Sequence, residues 1–191
     1  MQTSTEVLFT QARTQTGYLD HAVDAATLRA LYDLLKWGPT SANCSPARFV
    51  FVQSDQAKQR LMACMNAGNV EKVREAPVTV VIGMDLAFYE HLPTLFPHTD
   101  ARSWFEGNAP KIAETALRNS SLQGAYLIMA ARALGLDCAP MSGFDSARVD
   151  AEFWAGTSVR SNFVCCLGRG DAARLRPRNP RLSFEQACAI I

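Results

Sequence analysis

The clearest candidates for chemistry are hydroxyl, amide and basic side chains that cluster in four short segments. The first is the loop GPTSANCSP at residues 38–46, in which two prolines bracket Thr40, Ser41 and Asn43. Prolines stiffen such a loop, while its hydroxyls and amide both donate and accept hydrogen bonds. Two interpretations are open at this point: a ligand-binding loop, or a capped turn that joins a helix to a strand.

The other three segments offer an amide with a lysine, a glycine-containing turn and a group of arginines. They are GNVEK at residues 68–72, PMSGF at 140–144, and the Arg- and Pro-rich tail at 174–181. The first of these is predicted as a polar turn, either ligand-binding or simply solvated. Arginine clusters usually lie on the solvent-exposed surface, but they also supply the hydrogen-bond donors that a phosphate monoester requires.

Several well-known catalytic and nucleotide-binding motifs are absent. The sequence has no GxxxxGK[ST], no GxGxxG after a strand, no GxSxG and no HExxH. The GRG segment at residues 168–170 lacks a third glycine and is predicted as a turn. The three histidines (His21, His91 and His98) are too widely spread for a convincing metal site or catalytic triad. These absences argue against P-loop, Rossmann, serine-hydrolase and zinc-protease chemistry.

The overall composition is that of an ordinary globular protein. The chain has 191 residues, of which 48% are hydrophobic and 19% charged, and its formal net charge is +1. This balance removes the electrostatic reason to expect a nucleic-acid or anionic-membrane partner. No stretch is apolar enough to span a bilayer, and residues 1–10 do not resemble a secretory signal. We therefore expect one cytoplasmic domain over residues 1–191, without a metal site.

The six cysteines show no CxxC pair and no histidine partners at zinc spacing. In a chain without an export signal, we predict free and mostly buried thiols. Cys44, inside the 38–46 loop, is the one position at which a catalytic thiol is considered.

Hydrophobic periodicity and breaker residues predict helices that alternate with a few strands. Helices are predicted at residues 6–13, 55–65, 112–134, 145–154 and 184–191, and from Asp24 to the breaker pair Gly38-Pro39. Strands are predicted at residues 48–53, 77–84 and 162–167, with a strand-like stretch at 136–139. A polar and aromatic segment at residues 85–110, called the excursion below, is long for a structureless connection. Long connections between strands favour an α+β or three-layer arrangement over a βαβ repeat.

Taken in this order, the segments resemble the FMN-dependent nitroreductase family. The Pro-Ser-Ser-x-Asn-x-x-Pro loop of that family corresponds to residues 39–46. Its flavin-edge asparagine and lysine correspond to Asn69 and Lys72, and its Pro-x-x-Gly-Phe segment corresponds to residues 140–144. The order and spacing of these segments agree along nearly the whole chain.

The resemblance implies a three-layer α/β/α fold with a central, mainly antiparallel sheet, in a homodimer of the domain-swapped type. The flavin would lie between the two subunits, and the long helix at residues 112–134 would supply much of the dimer core. The implied reaction is ping-pong: NAD(P)H passes a hydride to flavin N5, and the oxidant then occupies the same cavity. No motif distinguishes NADH from NADPH.

The resemblance also implies which residues hold FMN. The family's phosphate-binding segments correspond to residues 12–14 and 180–182, so arginines from both ends of the chain would neutralise the phosphate. A lysine beside the pyrimidine ring would stabilise the negative charge that grows there on reduction. The implied cofactor-binding residues are Arg13, Thr14, Thr40, Ser41, Asn43, Asn69, Lys72, Pro140, Ser142, Gly143 and Arg181, with Arg178 as a further phosphate candidate.

A narrower resemblance within the family is to the malonic semialdehyde reductases (3-hydroxypropionate dehydrogenases) of pyrimidine degradation. It rests on blocks at residues 37–48, 88–90, 95–98, 100–105, 118–121 and 140–145. It implies reduction of malonic semialdehyde to 3-hydroxypropionate. Arg48 and Arg102 are candidates for binding the substrate carboxylate, and His98, Tyr89 or water for supplying the proton. Two alternatives stay open: a broad nitro- or quinone reductase, and a flavin-binding dimer without turnover.

Overall fold

The architecture is built on one antiparallel sheet of four strands. In the computed structural model, which describes residues 4–191, the strands are β1 (Ala47–Val52), β2 (Val78–Asp85), β3 (Asp137–Met141) and β4 (Val159–Gly168). Their order across the sheet is β1-β2-β4-β3, and each neighbouring pair is antiparallel. β2 lies in the interior of the sheet, where its nearly continuous run of β-branched residues is buried on both faces.

Within residues 4–191, seven α-helices accompany the sheet. They are α1 (Ala25–Leu35), α2 (Asp55–Met62), α3 (Ala67–Glu75), α4 (Leu92–Leu95), α5 (Ala109–Ala133), α6 (Ser146–Phe153) and α7 (Phe184–Ala187). Polar side chains fix several helix starts. Asp24 Oδ1 accepts from the N–H of Thr27 at 2.7 Å before α1, and Asn108 Oδ1 accepts from the N–H of Lys111 at 3.2 Å before α5.

Two hydrophobic clusters lie on opposite faces of the sheet. On one face, Val81 packs with α2, α3 and α6, for example with Leu61 of α2. On the other face, Ile82 packs with Leu31 of α1 and Leu127 of α5. Val81 and Ile82 are neighbours in β2 and belong to different clusters because successive strand residues point to opposite faces. The predicted α+β, three-layer α/β/α fold with an antiparallel sheet is confirmed.

The excursion is folded. It contains α4 and short 3-10 turns at Phe88–His91 and Arg102–Trp104. These turns enclose a third, smaller core, in which Phe88 and Phe105 meet edge to face with ring centroids 5.0 Å apart. Ala116 of α5 also belongs to this core, so buried apolar surface attaches the excursion to α5.

The secondary-structure prediction was wrong between residues 55 and 72. The predicted helix at 55–65 ends at Met62, and the predicted polar turn at 68–72 is helical, as part of α3. Asn66 is extended (φ −64°, ψ 146°), and its N–H donates to the carbonyl oxygen of Gly143 at 3.0 Å. A distant partner therefore separates α2 from α3. Asn69 and Lys72, three residues apart, lie on one side of α3.

Other predicted helix and strand boundaries differ less from the observed ones. The predicted helix at 6–13 is a π-helical turn at Glu6–Thr10, and the predicted helix at 184–191 ends at Ala187. β4 begins at Val159 instead of residue 162. The GRG segment at 168–170 is not a turn, since β4 runs through its first residue and Gly170 pairs with Tyr18 in an isolated bridge.

The six cysteines are free, and all except Cys188 are buried, which confirms the prediction for the thiols. Burial raises the pKa of the Cys44 thiol to about 11, so this side chain is a neutral thiol at physiological pH. Within residues 4–191, no helix is long and apolar enough to cross a membrane, and no three metal-ligating side chains come together. Residues 1–3 of the N-terminal segment considered above lie outside the described residues.

Candidate functional site

Asn69, Lys72 and Gly143 form one hydrogen-bonded group, which we call the ring-side site. Asn69 Nδ2 donates to the carbonyl oxygen of Gly143 at 3.1 Å, and Lys72 Nζ donates to Asn69 Oδ1 at 3.2 Å. A Cβ atom at Gly143 would lie 2.6 Å from Asn69 Nδ2, so this close approach requires glycine. The structure thus brings together three residues that the sequence analysis had assigned to one ligand.

The segment that carries Gly143 is anchored to the connection between α2 and α3. Phe144 pairs with Met65 in an isolated bridge, and the N–H of Asp145 donates to the carbonyl oxygen of Cys64 at 2.8 Å. Asp145 also caps α6. These contacts fix residues 142–145 across the start of α3, with Ser142 and Pro140 exposed beside the ring-side site.

Five arginines line a cavity of about 520 Å³, which we call the arginine pocket. They are Arg13, Arg132, Arg176, Arg178 and Arg181, and Thr14 and Thr16 line the same cavity. Backbone carbonyl oxygens accept from several of these arginines: Arg178 donates to the carbonyls of Thr10 and Ala12, each at 2.9 Å. No carboxylate lines the cavity, and in the part of the chain that the structure describes none of the five arginines forms an ion pair.

The membership of this pocket differs in two places from the basic tail identified in the sequence. Arg174 lies outside it and pairs with Glu75 at 2.6 Å. Arg132 lies inside it, at the end of α5, and its Nη1 donates to the carbonyl oxygen of Leu8 at 2.8 Å. Sequence reasoning missed Arg132 because a basic residue in the last turn of a helix is normally explained by the helix dipole.

β3 connects the arginine pocket to the ring-side site. At its start, Thr14 pairs with Cys138, and the N–H of Gln15 donates to the carbonyl oxygen of Cys138 at 3.1 Å. Its end leads directly into Ser142 and Gly143. The four residue steps of the strand span roughly 13 Å. An elongated ligand with an anionic end and a hydrogen-bonding ring end fits these donors, and FMN has that form.

The 38–46 loop is held by contacts to α5 and to the excursion. The N–H of Ser41 donates to Asn119 Oδ1 at 2.8 Å, and Asn43 Nδ2 donates to the carbonyl oxygen of Leu95 at 2.9 Å. Thr40 contributes within the loop, where its hydroxyl oxygen accepts a backbone N–H. The loop is therefore an ordered element of the chain, not only a flexible connection.

This loop lies at the opposite edge of the sheet from the ring-side site. It leads into β1, whereas Gly143 follows β3, and both β2 and β4 lie between them. Three strand spacings of about 4.8 Å place the two edges roughly 14 Å apart. One chain therefore does not bring Thr40, Ser41 and Asn43 to its own ring-side site.

Arg48, a candidate for binding the substrate carboxylate, is bonded within the chain. Its Nη2 donates to Asp85 Oδ2 at 2.6 Å, and the Asp85 side chain is only 8% exposed. Arg48 also lines a cavity of about 550 Å³ beside the 38–46 loop, together with Trp37, Asn43 and His91. Its role toward a substrate stays a prediction.

Arg102, the second candidate, joins two parts of the excursion. Its Nε donates to Glu90 Oε2 at 2.7 Å, and its Nη1 donates to Glu106 Oε2 at 3.0 Å. The hydrogen bonds from Arg102 hold the pKa of Glu90 below its usual value. Tyr89 lies under the guanidinium, 5.9 Å from ring centroid to Cζ, and the His98 ring meets Phe96 edge-on in the same excursion.

Comparison with known proteins agrees with the resemblance read from the motifs. The sequence matches the Nitroreductase family over residues 10–169. A Burkholderia lata protein is 62% identical over 183 residues, which cover 96% of this chain and 94% of that protein. HadB of Ralstonia pickettii is 58% identical over 190 residues, which cover 98% of this chain and 97% of HadB. Both relatives have the provisional name NADH dehydrogenase/NAD(P)H nitroreductase.

Solved structures give the same fold. The Bacillus subtilis nitroreductase ydfN superposes with a TM-score of 0.89 at 20% identity, over 96% of this chain and 97% of that one. A nitroreductase from Exiguobacterium sibiricum, crystallised in complex with FMN, superposes with a TM-score of 0.87 at 16% identity, over 100% of this chain and 98% of that one. At these identities the likeness establishes the fold alone.

Proposed function

The chain belongs to the nitroreductase family, and on that premise we propose that it is an FMN-dependent NAD(P)H oxidoreductase that is active as a homodimer. One observation carries the cofactor assignment. Among residues 4–191, five arginines and no carboxylate line the arginine pocket, and β3 connects this pocket to the ring-side site. A cluster of arginines without acidic partners is unfavourable unless an anion binds there, and a phosphate dianion is the anion that FMN supplies.

The residues of the two sites have distinct tasks. Arg13, Arg178 and Arg181 bind the phosphate from the two ends of the chain, and Thr14 adds a hydroxyl donor. On the ring side, Lys72 would hold the flavin ring together with Asn69, and its positive charge would favour the negative charge that flavin gains on reduction. When bound, FMN supplies the two-electron centre that takes hydride from NAD(P)H and reduces the oxidant.

Asn69 orients the groups around the ring. Its amide oxygen accepts from Lys72, and its amide nitrogen donates to the Gly143 carbonyl, so the side chain cannot rotate without losing both bonds. The carbonyl of Gly143 is thereby held in place beside Asn69 and Lys72. A pre-set arrangement of this kind lowers the cost of binding and of charge development.

A second copy of the chain completes the site in this proposal. The 38–46 loop carries Thr40, Ser41 and Asn43 at the edge of the sheet that the ring-side site of the same chain does not reach. Exposed apolar side chains support dimer formation: in the segment at residues 182–187, called the C-terminal arm, those of Leu182 and Phe184 are 69% and 57% exposed. On α5, Leu117, Leu122 and Tyr126 are also exposed.

For the oxidant we propose malonic semialdehyde, which the sequence blocks at residues 37–48 and 100–105 support by resemblance. A specific observation favours a second candidate, a nitroarene or quinone without a carboxylate. Arg48 bonds Asp85, and Arg102 bonds Glu90 and Glu106, so a substrate carboxylate competes with protein carboxylates for either arginine. Aldehyde reduction also needs a proton, for which Tyr89, His98 and water stay the predicted donors.

The test begins with the visible spectrum of the purified protein. We expect flavin bands that bleach when NADH or NADPH is added without oxygen. Malonic semialdehyde, a nitroarene and a quinone are then compared by the rate at which each restores the bands. A colourless protein that gains no bands on incubation with FMN overturns the cofactor assignment, and bands that neither nucleotide bleaches indicate a flavin-binding dimer without turnover.

A further inference from the structure

Asp85 is a buried carboxylate at the end of β2 that the proposed chemistry does not use. Three donors converge on it: Arg48 Nη2 on Oδ2 at 2.6 Å, and both Ser158 Oγ and the N–H of Ala87 on Oδ1, at 2.6 Å and 2.8 Å. The residue is 6% exposed. A carboxylate buried this far is stable only while its donors remain in place, so Asp85 fixes the positions of the groups around it.

Arg48 transmits this constraint to the 38–46 loop. Its Nη1 donates to the carbonyl oxygens of Ser45, at 3.1 Å, and Ala47, at 2.9 Å. The backbone of Asp85 acts in the same direction, because its N–H donates to the carbonyl oxygen of Pro46 at 2.8 Å. The C-terminal half of the loop is thus held by one guanidinium and by the strand beside it.

The loop needs such a constraint because its backbone is strained. Ala42, Asn43 and Ser45 have φ values of 50°, 51° and 39°, in the left-handed region that residues with a Cβ atom rarely adopt. Strained conformations persist only where the surrounding structure determines them, and they concentrate at ligand-binding sites. Asn43 and its neighbours Thr40 and Ser41 are the residues of this loop that the family resemblance assigns to FMN.

We propose that Asp85 and Arg48 are positioning residues, which hold the 38–46 loop in the strained conformation that contacts flavin. The inference rests on the proposed function for the identity of the ligand, but not for the conformation of the loop. The Asp85 carboxylate also accepts the N–H of Ala87, near the start of the excursion. The 38–46 loop and the excursion are therefore both held by Asp85. Moving Arg48 toward a substrate carboxylate would leave Asp85 buried without its cation, which makes a positioning role the better assignment for Arg48.

The first measurement is amide hydrogen exchange of the full-length protein, as purified and again after flavin removal. The amides of Asn43, Cys44 and Ala47 are bonded within the loop or to α5, so their exchange reports its conformation directly. In Arg48→Met and Asp85→Asn we expect exchange of these amides to accelerate roughly tenfold or more, the loss expected for a charged hydrogen bond. Amides of β2 and β4 should keep their wild-type protection.

The second measurement is the dissociation constant for FMN, from quenching of flavin fluorescence. We expect it to rise about tenfold in Arg48→Met and less in Arg48→Lys, because lysine keeps the charge but cannot span Asp85 and two carbonyls. Glu152→Gln, which alters a surface contact to Arg60 at 3.8 Å, is the matched control and should change neither readout.

The outcomes separate the alternatives. Unchanged loop exchange in Arg48→Met overturns the inference, as does acceleration spread evenly over the sheet, which indicates a general stabilising role. A raised KM for malonic semialdehyde with unchanged loop exchange assigns Arg48 to the substrate instead. If Asp85→Asn does not fold, the exchange rates and FMN affinities of Arg48→Met and Arg48→Lys still test the positioning role. If the wild-type protein binds no FMN, the proposed function fails, while loop exchange continues to test the anchor.

Discussion

Lys72 Nζ lies 3.2 Å from Oδ1 of Asn69, and the other end of the same amide donates to the carbonyl of Gly143, 74 residues further along the chain. This relay makes a helix, a loop and the end of a strand into one rigid unit. Any change that moves the Asn69 amide should therefore alter the site at Lys72 and at Gly143 together.

Gly143→Ala tests this relay. The new Cβ would lie 2.6 Å from Asn69 Nδ2, so the amide must turn away and lose its bond to the carbonyl. We expect FMN affinity to fall about tenfold and the free energy of unfolding to fall by about 1 kcal/mol. Flavin fluorescence titration and urea unfolding measure the two effects.

Gly68→Ala is the matched control, since no atom of residues 4–191 lies within 4 Å of a Cβ there and the residue is in the first turn of α3. Alanine is the better helix former, so the free energy of unfolding should stay constant or rise by up to about 1 kcal/mol. Equal losses of FMN affinity in the two variants would contradict the role given to Gly143.

The limits of sequence reasoning are visible at these same positions. The sheet and its long helices could be predicted, because β-branched runs and apolar spacing are local signals. The start of α3 as a separate helix could not be predicted from the sequence. Asn66 is held extended by its hydrogen bond to the carbonyl of Gly143, which is a contact between distant parts of the chain. The motif resemblance grouped Asn69 with Lys72, and the structure shows the two side chains hydrogen-bonded to each other, whereas local composition predicted a turn there.

The same distinction explains the arginines. Arg13 and Arg181 were placed by motif, and the structure finds them in one pocket. Arg132 has no motif, and only the packing of α5 against the N-terminal turn brings it there. The clamp of Arg102 on Glu90 joins two turns of the excursion, whose fold has no periodic pattern from which it could be predicted.

Arg132→Met should weaken FMN binding through the phosphate alone. A charge-assisted hydrogen bond of this kind is worth about 1.5–3 kcal/mol, so FMN affinity should fall roughly tenfold or more. Riboflavin lacks the phosphate, and its affinity should change little. Arg118→Met, which removes an exposed arginine paired with Glu114, is the control. Equal losses of affinity for FMN and riboflavin would show that Arg132 does not bind the phosphate.

Arg102→Gln distinguishes a clamp within the excursion from a substrate-binding arginine. Exposed ion pairs are worth at most about 1 kcal/mol each, and Arg102 makes two. A clamp role therefore predicts changes in KM of no more than about thirtyfold, alike for a nitroarene and for malonic semialdehyde. Limited proteolysis should show faster cleavage within residues 85–110. A much larger loss confined to malonic semialdehyde would instead show that Arg102 binds the substrate carboxylate.

Alkaline pH should destabilise the protein through its buried thiols. Burial raises the pKa of Cys44 and of Cys166 from 9.0 to about 11, so the folded state resists an ionisation that the unfolded state undergoes freely. The stabilising effect is complete below pH 9.0 and is lost as the pH rises toward 11. Each thiol adds a slope of about 1.4 kcal/mol per pH unit within that window.

The measurement for this prediction is the urea midpoint at neutral pH and at several values above 9.0. Cys44→Ala should be less stable than wild type at neutral pH because of the cavity it leaves, yet its stability should fall less steeply with rising pH. Parallel pH profiles for the two proteins would show that the Cys44 thiol does not contribute.

Leu182→Asp should dissociate the proposed homodimer. The Leu182 side chain is 69% exposed in one chain, and we expect it to be buried by the second copy. Losing this burial in both arms costs about 3 kcal/mol, or roughly a hundredfold in the dimer dissociation constant. Sedimentation velocity gives the mass of the particle, and Glu185→Gln, a polar change in the neighbouring helix α7, is the control.

The effect on flavin then tests the shared site. If the 38–46 loop of one chain completes the ring-side site of the other, dissociation by Leu182→Asp must lower FMN affinity. The new carboxylate also stands next to Arg181 and acts on the phosphate directly, so the part of the loss that depends on protein concentration is the part due to dissociation. Raising the protein concentration should restore both the dimer and the bound flavin, because association is driven by mass action. A monomer that retains wild-type FMN affinity would show that one chain holds the complete site.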